Sequence, residues 1–382
     1  MTRLPVYLDH NATTPCEPAV VEAMLPFFTD TFGNAASNSH VHGWLAAEAV
    51  DAARQQVASL VGSSPKDIVF TSGATEALNL GIRGIVEHSD LPQKHIITGA
   101  TEHKAVLDVC AYLGTTGVEV TVLPVKHNGL PNLELFRSAI RKNTILAVMM
   151  AANNETGVIM PVTEIASIAH EHGVKVCCDA TQTVGKIRAS VDQLGVDLMA
   201  FSAHNFYGPK GTCALYIRSG LSTTVKPLIF GGGHERGLRS GTLNVPGIVG
   251  MGKACEIAAG RMEKDAARVA ALRDKLIDGL MQLPGVSLNG IRDILLPHVA
   301  NVTFDFPGGD RLLQKIAHSV AASSGSACSS AITSASHVLT AMGLSEQAAL
   351  SSIRFSLGRN TTEEEIDLTI ATIHHASGKI QS

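Results

Sequence analysis

The sequence has few charged residues and no strong excess of either sign. Charged side chains make up 17% of its 382 residues, and 30 basic residues against 34 acidic ones give a net charge of −4. This balance excludes a histone-like or strongly basic nucleic-acid-binding protein. We therefore expect no direct contact with nucleic acid.

Long apolar runs, targeting signals and metal motifs are absent from the sequence as well. No run of 18 apolar residues occurs, so we expect no membrane-spanning segment. Residues 1–9 lack the basic-then-apolar pattern of a signal peptide, which predicts a mature cytoplasmic protein. The seven cysteines are scattered and include no C-x-x-C pair, so we expect neither a disulfide framework nor a metal site.

The sequence does contain many short apolar runs separated by amphipathic stretches. The strand-like runs are residues 68–71, 95–98, 119–123, 145–149, 174–178, 198–201 and 213–217. Helical patterns between them include residues 74–86, 104–113 and 162–172. Mostly apolar strands that alternate with helices predict an α/β fold with a mainly parallel sheet covered on both faces.

A long helical pattern at residues 246–283 leads away from this α/β body. Strand-like segments at 299–304, 319–323 and 353–355 follow, and a final helix is predicted at 362–377. These elements predict a smaller α/β lobe. We expect a large domain at 15–260 and a small domain made of 1–14 and 261–382.

Three motifs follow strand-like runs of the large domain. Residues 71–77, TSGATEA, open a helix with small residues, which suits either a phosphate site or an ordinary capped turn. Asp179, in the segment CDATQ, is either a partner for a protonated ring nitrogen or a helix cap. Ser202 and His204 are either phosphate donors or parts of a polar turn.

Two further segments are rich in glycine or serine. Residues 231–242, GGGHERGLRSGT, combine dense glycine with two arginines, which favours an anion site over a merely flexible surface loop. Residues 323–330, SSGSACSS, place Cys328 among small polar residues. Such surroundings favour an exposed, reactive thiol, although an incidental cysteine is the alternative.

Together with residues 102–104 (EHK), 153–157 (NNETG) and 352–356 (SIRFS), these segments resemble those of NifS/IscS-type cysteine desulfurases. Those enzymes depend on pyridoxal 5'-phosphate (PLP) and belong to aminotransferase class V, fold type I. The resemblance runs from Tyr7 to the final helix. It implies a large domain with a mainly parallel seven-stranded sheet, a smaller C-terminal domain carrying a mobile Cys328 loop, and a homodimer.

The resemblance also implies which residues hold the phosphate of PLP. Ala74 and Thr75 would contact it, and Ser202 and His204 would assist them. Thr242 of the partner subunit would complete the phosphate site.

Other matching residues would hold the PLP ring and the substrate, L-cysteine. His103 would stack on the ring and move protons, Asp179 would pair with the pyridine nitrogen, and Gln182 would bond the phenolic oxygen. Asn154 would lie close to cofactor and substrate, and Arg354 would bind the substrate carboxylate. For His103 and Arg354, a structural histidine and a surface ion pair are the alternatives.

The sequence departs from the family at Asn205, where the family has the lysine that forms the Schiff base with PLP. An amide is neither a nucleophilic amine nor a proton carrier. The residue is an engineered change, a natural variant that binds PLP non-covalently, or the mark of a non-catalytic relative. We favour the first explanation, because the rest of the site is whole, and expect the chain to be inactive or strongly impaired.

The resemblance predicts an enzyme that moves sulfur from L-cysteine to Cys328 as a persulfide and releases L-alanine. An acceptor protein in iron–sulfur assembly, tRNA thiolation or DNA phosphorothioation would then take the sulfur. The chain ends soon after its last helix, which favours a specialised system such as DNA phosphorothioation. A selenocysteine lyase, an aminotransferase and a non-catalytic scaffold are the alternatives.

Overall fold

The computed structural model describes residues 4–324 and 335–381. Its strands are β1 (Val6–Tyr7), β2 (Ile68–Thr71), β3 (His95–Gly99), β4 (Glu119–Leu123), β5 (Thr144–Met150), β6 (Lys175–Asp179), β7 (Leu198–Ser202), β8 (Cys213–Ile217), β9 (Val286–Leu288), β10 (Val299–Phe304), β11 (Val320–Ala321) and β12 (Ser352–Ser356).

The α-helices of the same residues range from four residues to 36. They are α1 (Pro18–Met24), α2 (Pro26–Thr29), α3 (Val41–Val61), α4 (Ala74–His88), α5 (Lys104–Thr115), α6 (Leu133–Ala139), α7 (Val162–Glu171), α8 (Val191–Leu194), α9 (Val245–Leu280), α10 (Leu312–Ile316), α11 (His337–Ala341), α12 (Glu346–Leu350) and α13 (Glu363–Gln381).

The large sheet has seven strands in the order β2-β8-β7-β6-β5-β3-β4. β8 is antiparallel to β2 and β7, and all other neighbours are parallel. Because β2 and β7 both oppose β8, every strand except β8 runs in one direction, and their carboxyl ends share one edge. The predicted α/β fold class with a mainly parallel sheet is therefore confirmed.

Apolar clusters cover the two faces of this sheet. Leu78 and Val106, from α4 and α5, belong to the cluster on one face, whereas Val57 and Ile165, from α3 and α7, belong to the other. The helix α9 starts in this second cluster and ends in a third one, around β10 and β12. The predicted domain boundary at residue 260 lies within α9, and the division into two domains stays a prediction.

The chain start joins the C-terminal elements before it reaches the large sheet. β1 pairs in parallel with β11, and Asp9 forms a bridge with Ser356 at the end of β12. Five residues later, the amide of Thr14 donates to the carbonyl of His204, which follows β7. Residues 9–14 therefore connect the small antiparallel sheet β12-β10-β9 to the carboxyl edge of the large sheet.

None of the helices in the described parts of the chain is both long enough and apolar enough to cross a membrane.

A buried ion pair fixes the glycine-rich segment 231–242 against β2. Both terminal nitrogens of Arg54 bond the carboxylate of Glu235, at 2.6 and 2.8 Å. Glu235 also accepts from the amide of Phe70, and Arg54 donates to the carbonyl of Ile68. Both side chains are almost completely buried, so each charge depends on the other for compensation.

Replacing Arg54 by methionine should destabilise the fold strongly. The change leaves the Glu235 carboxylate buried without its cation, which costs about 3–5 kcal/mol of unfolding free energy. Urea denaturation measures this loss. Arg137→Met, at the exposed pair with Glu171, is the matched control and should have a far smaller effect. Equal losses in the two variants would contradict the assigned role of the buried pair.

Candidate active site

The predicted site residues follow five strands whose carboxyl ends share the sheet edge. They are Ala74 and Thr75 after β2, His103 after β3, Asn154 after β5, Asp179 and Gln182 at and after β6, and Ser202, His204 and Asn205 at and after β7. Loops at this edge are where open α/β sheets bind ligands. The topology therefore places most of the predicted residues around one location.

Next to β2, helix α4 begins without a side-chain cap. Gly73 is its N-cap residue, and a Cβ placed on Gly73 would meet no other atom within 4 Å. The helix start therefore has open space beside uncapped amides, and the helix dipole favours an anion there. Thr75 is exposed and lines an open groove together with His103.

Asp179 and Gln182 lie at the end of β6, and both are buried. One oxygen of Asp179 accepts from the amide of Thr181 at 3.0 Å, and among the described residues no ion pair involves Asp179. A buried carboxylate in this position suits a cationic partner from outside the protein. Gln182 Nε2 donates to the carbonyl of Asn11 at 3.2 Å.

The turn after β7 is held by the N-terminal segment. Thr14 Oγ1 donates to the carbonyl of His204 at 2.7 Å, and His204 Nδ1 lies 3.2 Å from Thr13 Oγ1. Burial lowers the pKa of His204, and the positive charges of Lys210 and Lys186 add to that effect. Asn205 is buried, and its Nδ2 donates to the carbonyl of Asn11 at 3.3 Å.

The loops after β3 and β5 hold each other in place. Asn153 Nδ2 donates to the carbonyl of Thr101, and one oxygen of Glu102 accepts from the amide of Met150. Burial raises the pKa of Glu102 well above its ordinary value, and the negative charge of Asp179 acts in the same direction. The Nδ1 atom of His103 accepts from the amide of Ala105, so a neutral ring carries its proton on Nε2.

Arg354, in β12, reaches this edge from the small sheet. Its Nη1 donates to the carbonyl of Asn154 at 3.0 Å, and its Nη2 bonds Asp9 at 2.7 Å. Its buried Nε–H has no hydrogen-bond partner among the described residues. Since a guanidinium has five N–H donors, Arg354 keeps donors for a carboxylate beside these two contacts.

Thr242 and the arginines of segment 231–242 have partners within the chain. Arg239 pairs with Glu76 in the first turn of α4 at 2.8 Å, and Arg236 donates to the carbonyl of Ile68. Thr242 lines a cavity of about 140 Å³ with Thr71 and Ser72. The role of Thr242 in a partner subunit's phosphate site stays a prediction.

The predicted nucleophile, Cys328, lies outside the described residues. The residues on either side of that gap contact the site. Ser323 forms two backbone hydrogen bonds with Arg354, at 2.7 and 3.1 Å, and Ser336 Oγ donates to Glu155 at 2.5 Å.

Several residues of the site escaped the sequence analysis. Asn11 contacts both Gln182 and Asn205, and its Nδ2 donates to the carbonyl of Asn154 at 2.9 Å. Lys186 Nζ donates to Gln182 Oε1 at 3.2 Å. Residues 181–186 form turns and no helix, so the spacing of four residues between Gln182 and Lys186 carried no helical signal. Nothing local in the sequence marked Asn11.

Glu155 is a further buried carboxyl group beside Arg354 and His103. Burial raises its pKa to about 7, whereas its hydrogen bond with Ser336 and the positive charges of Arg354 and His103 oppose that shift. Its carbonyl accepts from Asn301 Nδ2 in β10. Glu155 therefore links the loop after β5 to the small sheet.

The arrangement fits the parts of PLP. The uncapped start of α4 suits its phosphate, the unpaired buried Asp179 suits its pyridinium, and the Gln182 amide suits its phenolic oxygen. In addition, Asn205 Oδ1 is buried with no partner among the described residues, so a donor is missing beside it. A ligand that donates to Asn205 Oδ1 would satisfy a buried atom that the described residues leave without a partner.

Comparisons with known proteins identify the family of the chain. The aminotransferase class-V model matches residues 6–369. A cysteine desulfurase IscS of Methylococcus capsulatus is 50% identical over 371 residues, covering 97% of this chain and 92% of the relative.

Among solved structures, a NifS-like protein is 39% identical, with a TM-score of 0.91 over 98% of this chain and 100% of its own. A structure titled "SspA in complex with cysteine" is 35% identical, with a TM-score of 0.83 over 94% of this chain and 100% of its own. The chain therefore belongs to the aminotransferase class-V family of PLP-dependent enzymes. Within that family it groups with the NifS/IscS-type cysteine desulfurases, which confirms the predicted resemblance.

Proposed function

We propose that this site transfers sulfur from L-cysteine to Cys328 and releases L-alanine, as expected of a cysteine desulfurase. The observation that carries the proposal is the connection between two groups of residues. Asn11 bonds Gln182, which suits the cofactor ring, and shares the Asn154 carbonyl with Arg354, which suits a substrate carboxylate. A carboxylate held by Arg354 therefore lies beside the ring position. The related SspA structure was solved with cysteine, which supports this substrate.

PLP, when bound, supplies an electron sink for the substrate α-carbon. Asp179 would hold the proton on the ring nitrogen, and Gln182 would donate to the phenolic oxygen. The amides of Ala74 and Thr75, together with Ser202 and His204, would bind the phosphate. His103 would pack on the ring and exchange protons on its face through Nε2.

The sulfur step belongs to Cys328. Its thiolate attacks the substrate sulfur: an S–S bond forms, the C–S bond breaks, and the bonding pair stays on carbon. Protonation at carbon completes alanine, and the enzyme keeps a persulfide. A thiol with a pKa of about 8.5 needs only modest activation for this attack. We further propose that an acceptor protein in the cytoplasm receives the persulfide sulfur.

We also propose that the chain forms a homodimer. Large apolar side chains are exposed along one stretch near the N-terminus, namely Leu25, Phe28, Phe32 and Trp44. Exposed groups of this size support an interface. Thr242 of the partner subunit would then complete the phosphate site, as the family resemblance implies.

Asn205 supports one alternative, a non-catalytic scaffold that binds sulfur-transfer proteins. Asn205→Lys separates a disabled enzyme from such a scaffold. The change restores an amine at this position, so the rate of alanine release from cysteine should rise at least ~10²-fold, the low end for a positioned proton carrier. Asn205→Gln, which adds length without an amine, is the matched control. A scaffold would show no gain from lysine.

The identity of the nucleophile is tested in the Asn205→Lys background. Cys328→Ser should abolish the persulfide formed from ³⁵S-cysteine and leave PLP binding unchanged, because serine cannot accept sulfur. Cys16→Ser is the control, since Cys16 is partly buried and burial raises its pKa. Label that persists on the protein after Cys328→Ser would show that another cysteine is the acceptor.

A further inference from the structure

Lys186 lies in a polar network on the Asn205 side of the site. Its Nζ is 3.2 Å from Gln182 Oε1, 3.4 Å from Asn11 Oδ1 and 2.9 Å from His298 Nε2. His298 Nε2 is also 2.9 Å from Asn11 Oδ1. The lysine is therefore joined directly to the residue suited to the phenolic oxygen of PLP.

The orientation of Asn11 is fixed by its other contacts. Its Nδ2 donates to the Asn154 carbonyl, so its Oδ1 faces Lys186 and His298. Its backbone carbonyl accepts from Asn205. One residue, Asn11, thus separates Lys186 from Asn205, whose Oδ1 is buried without a donor among the described residues.

The same atom positions suit two protonation states of Lys186. An ammonium can donate to Gln182, Asn11 and a His298 ring whose Nε2 accepts. A neutral amine can accept from His298 when Nε2 carries a proton. Burial and nearby positive charges, first that of Lys186, lower the pKa of His298 well below its ordinary value, so the ring stays neutral in both cases.

Burial and the surrounding positive charges favour the neutral form of Lys186. Burial and, to a smaller extent, the positive charge of Arg354 together lower the pKa of Lys186 to about 7. The titratable and charged groups that face this network are His10, His204, His298, Arg273 and Arg354, with Asp265 and Arg359 across the adjoining cavity. A lysine in these surroundings titrates in the range where a general base works best.

A small cavity gives this network a place for water. It measures about 40 Å³ and is lined by Lys186, His298, His10 and Arg359, among other residues. That volume holds at least one water. His298 Nδ1 is buried without a partner among the described residues, so a water in the cavity can exchange protons with the network.

We propose that Lys186 is an acid–base residue of this site, acting on the side where the family has a lysine and this chain has Asn205. The inference rests on the proposed PLP site. The neutral amine takes the substrate α-proton, directly or through one water, and becomes an ammonium; the electron pair stays on carbon. The ammonium then returns the proton, so the step consumes no oxidant, reductant or other reagent.

The first experiment uses the protein without cofactor. Competitive acetylation at trace reagent over pH 6–11, followed by peptide mass spectrometry, gives a titration curve for each lysine. We expect Lys186 to titrate near pH 7, well below the range of an ordinary lysine side chain, and the exposed Lys142 serves as the internal control. A Lys186 curve like that of Lys142 would overturn the proposal.

The second experiment follows the exchange of the α-proton of L-alanine in D₂O by NMR, with PLP present. Alanine carries no sulfur, so the measurement is independent of Cys328. The exchange rate of the chain should rise with pH through about 7, as Lys186 loses its proton. Lys186→Met should be slower at pH 8 by at least ~10²-fold, and Lys142→Met should be unchanged.

Lys186→Arg separates proton transfer from positioning. Arginine keeps donors for Gln182 and Asn11 but stays protonated, so a base role predicts exchange as slow as in Lys186→Met. Exchange at the parental rate in Lys186→Arg, or no exchange in a parent that binds PLP, would overturn the proposal. Failure of the parent to bind PLP, seen by absorbance, would instead overturn the proposed function, and the acetylation result would still decide the state of Lys186.

Discussion

The hydrogen bonds of Asn11 hold the two parts of the site together. Its carbonyl accepts from Gln182 and Asn205 at the edge of the large sheet, and its Nδ2 donates to Asn154, whose carbonyl also binds Arg354. Because residues 9–14 come directly from β1, the site depends on the pairing of β1 with β11. Disruption of the β1–β11 pairing would displace Arg354, which suits a substrate carboxylate, relative to the position suited to the PLP ring.

Asparagine at position 205 is part of the architecture of the turn after β7. Asn205 remains buried and donates to Asn11, so the turn after β7 keeps a link to the N-terminal segment. Thr14 holds the same turn through the carbonyl of His204. The contacts suited to the phosphate, the ring and the carboxylate do not involve the side chain at position 205. These contacts therefore do not require an amine at that position.

Local patterns were sufficient for the sheet but only for part of the site. The strands 68–71 and 213–217 were predicted to the residue, because continuous apolar runs mark strands that are buried on both faces. The family motifs located Asp179, Gln182 and Arg354. Asn11 and His298 were missed, because their contacts join residues as much as 287 positions apart, and no local pattern records such pairs. The partners of Arg236 and Arg239 were missed for the same reason, and these arginines bind groups of their own chain.

Titration of the purified chain with PLP tests the central claim most directly, since it requires no turnover. The account predicts that one PLP binds per chain despite Asn205. Asp179→Asn should bind PLP at least ~10-fold more weakly, because the loss of one charged hydrogen bond costs at least about 1.4 kcal/mol, which corresponds to a tenfold change in affinity. Asp192→Asn, at an exposed position on α8, should bind PLP as the parent does. No saturable binding, or equal affinity in Asp179→Asn and the parent, would contradict the account.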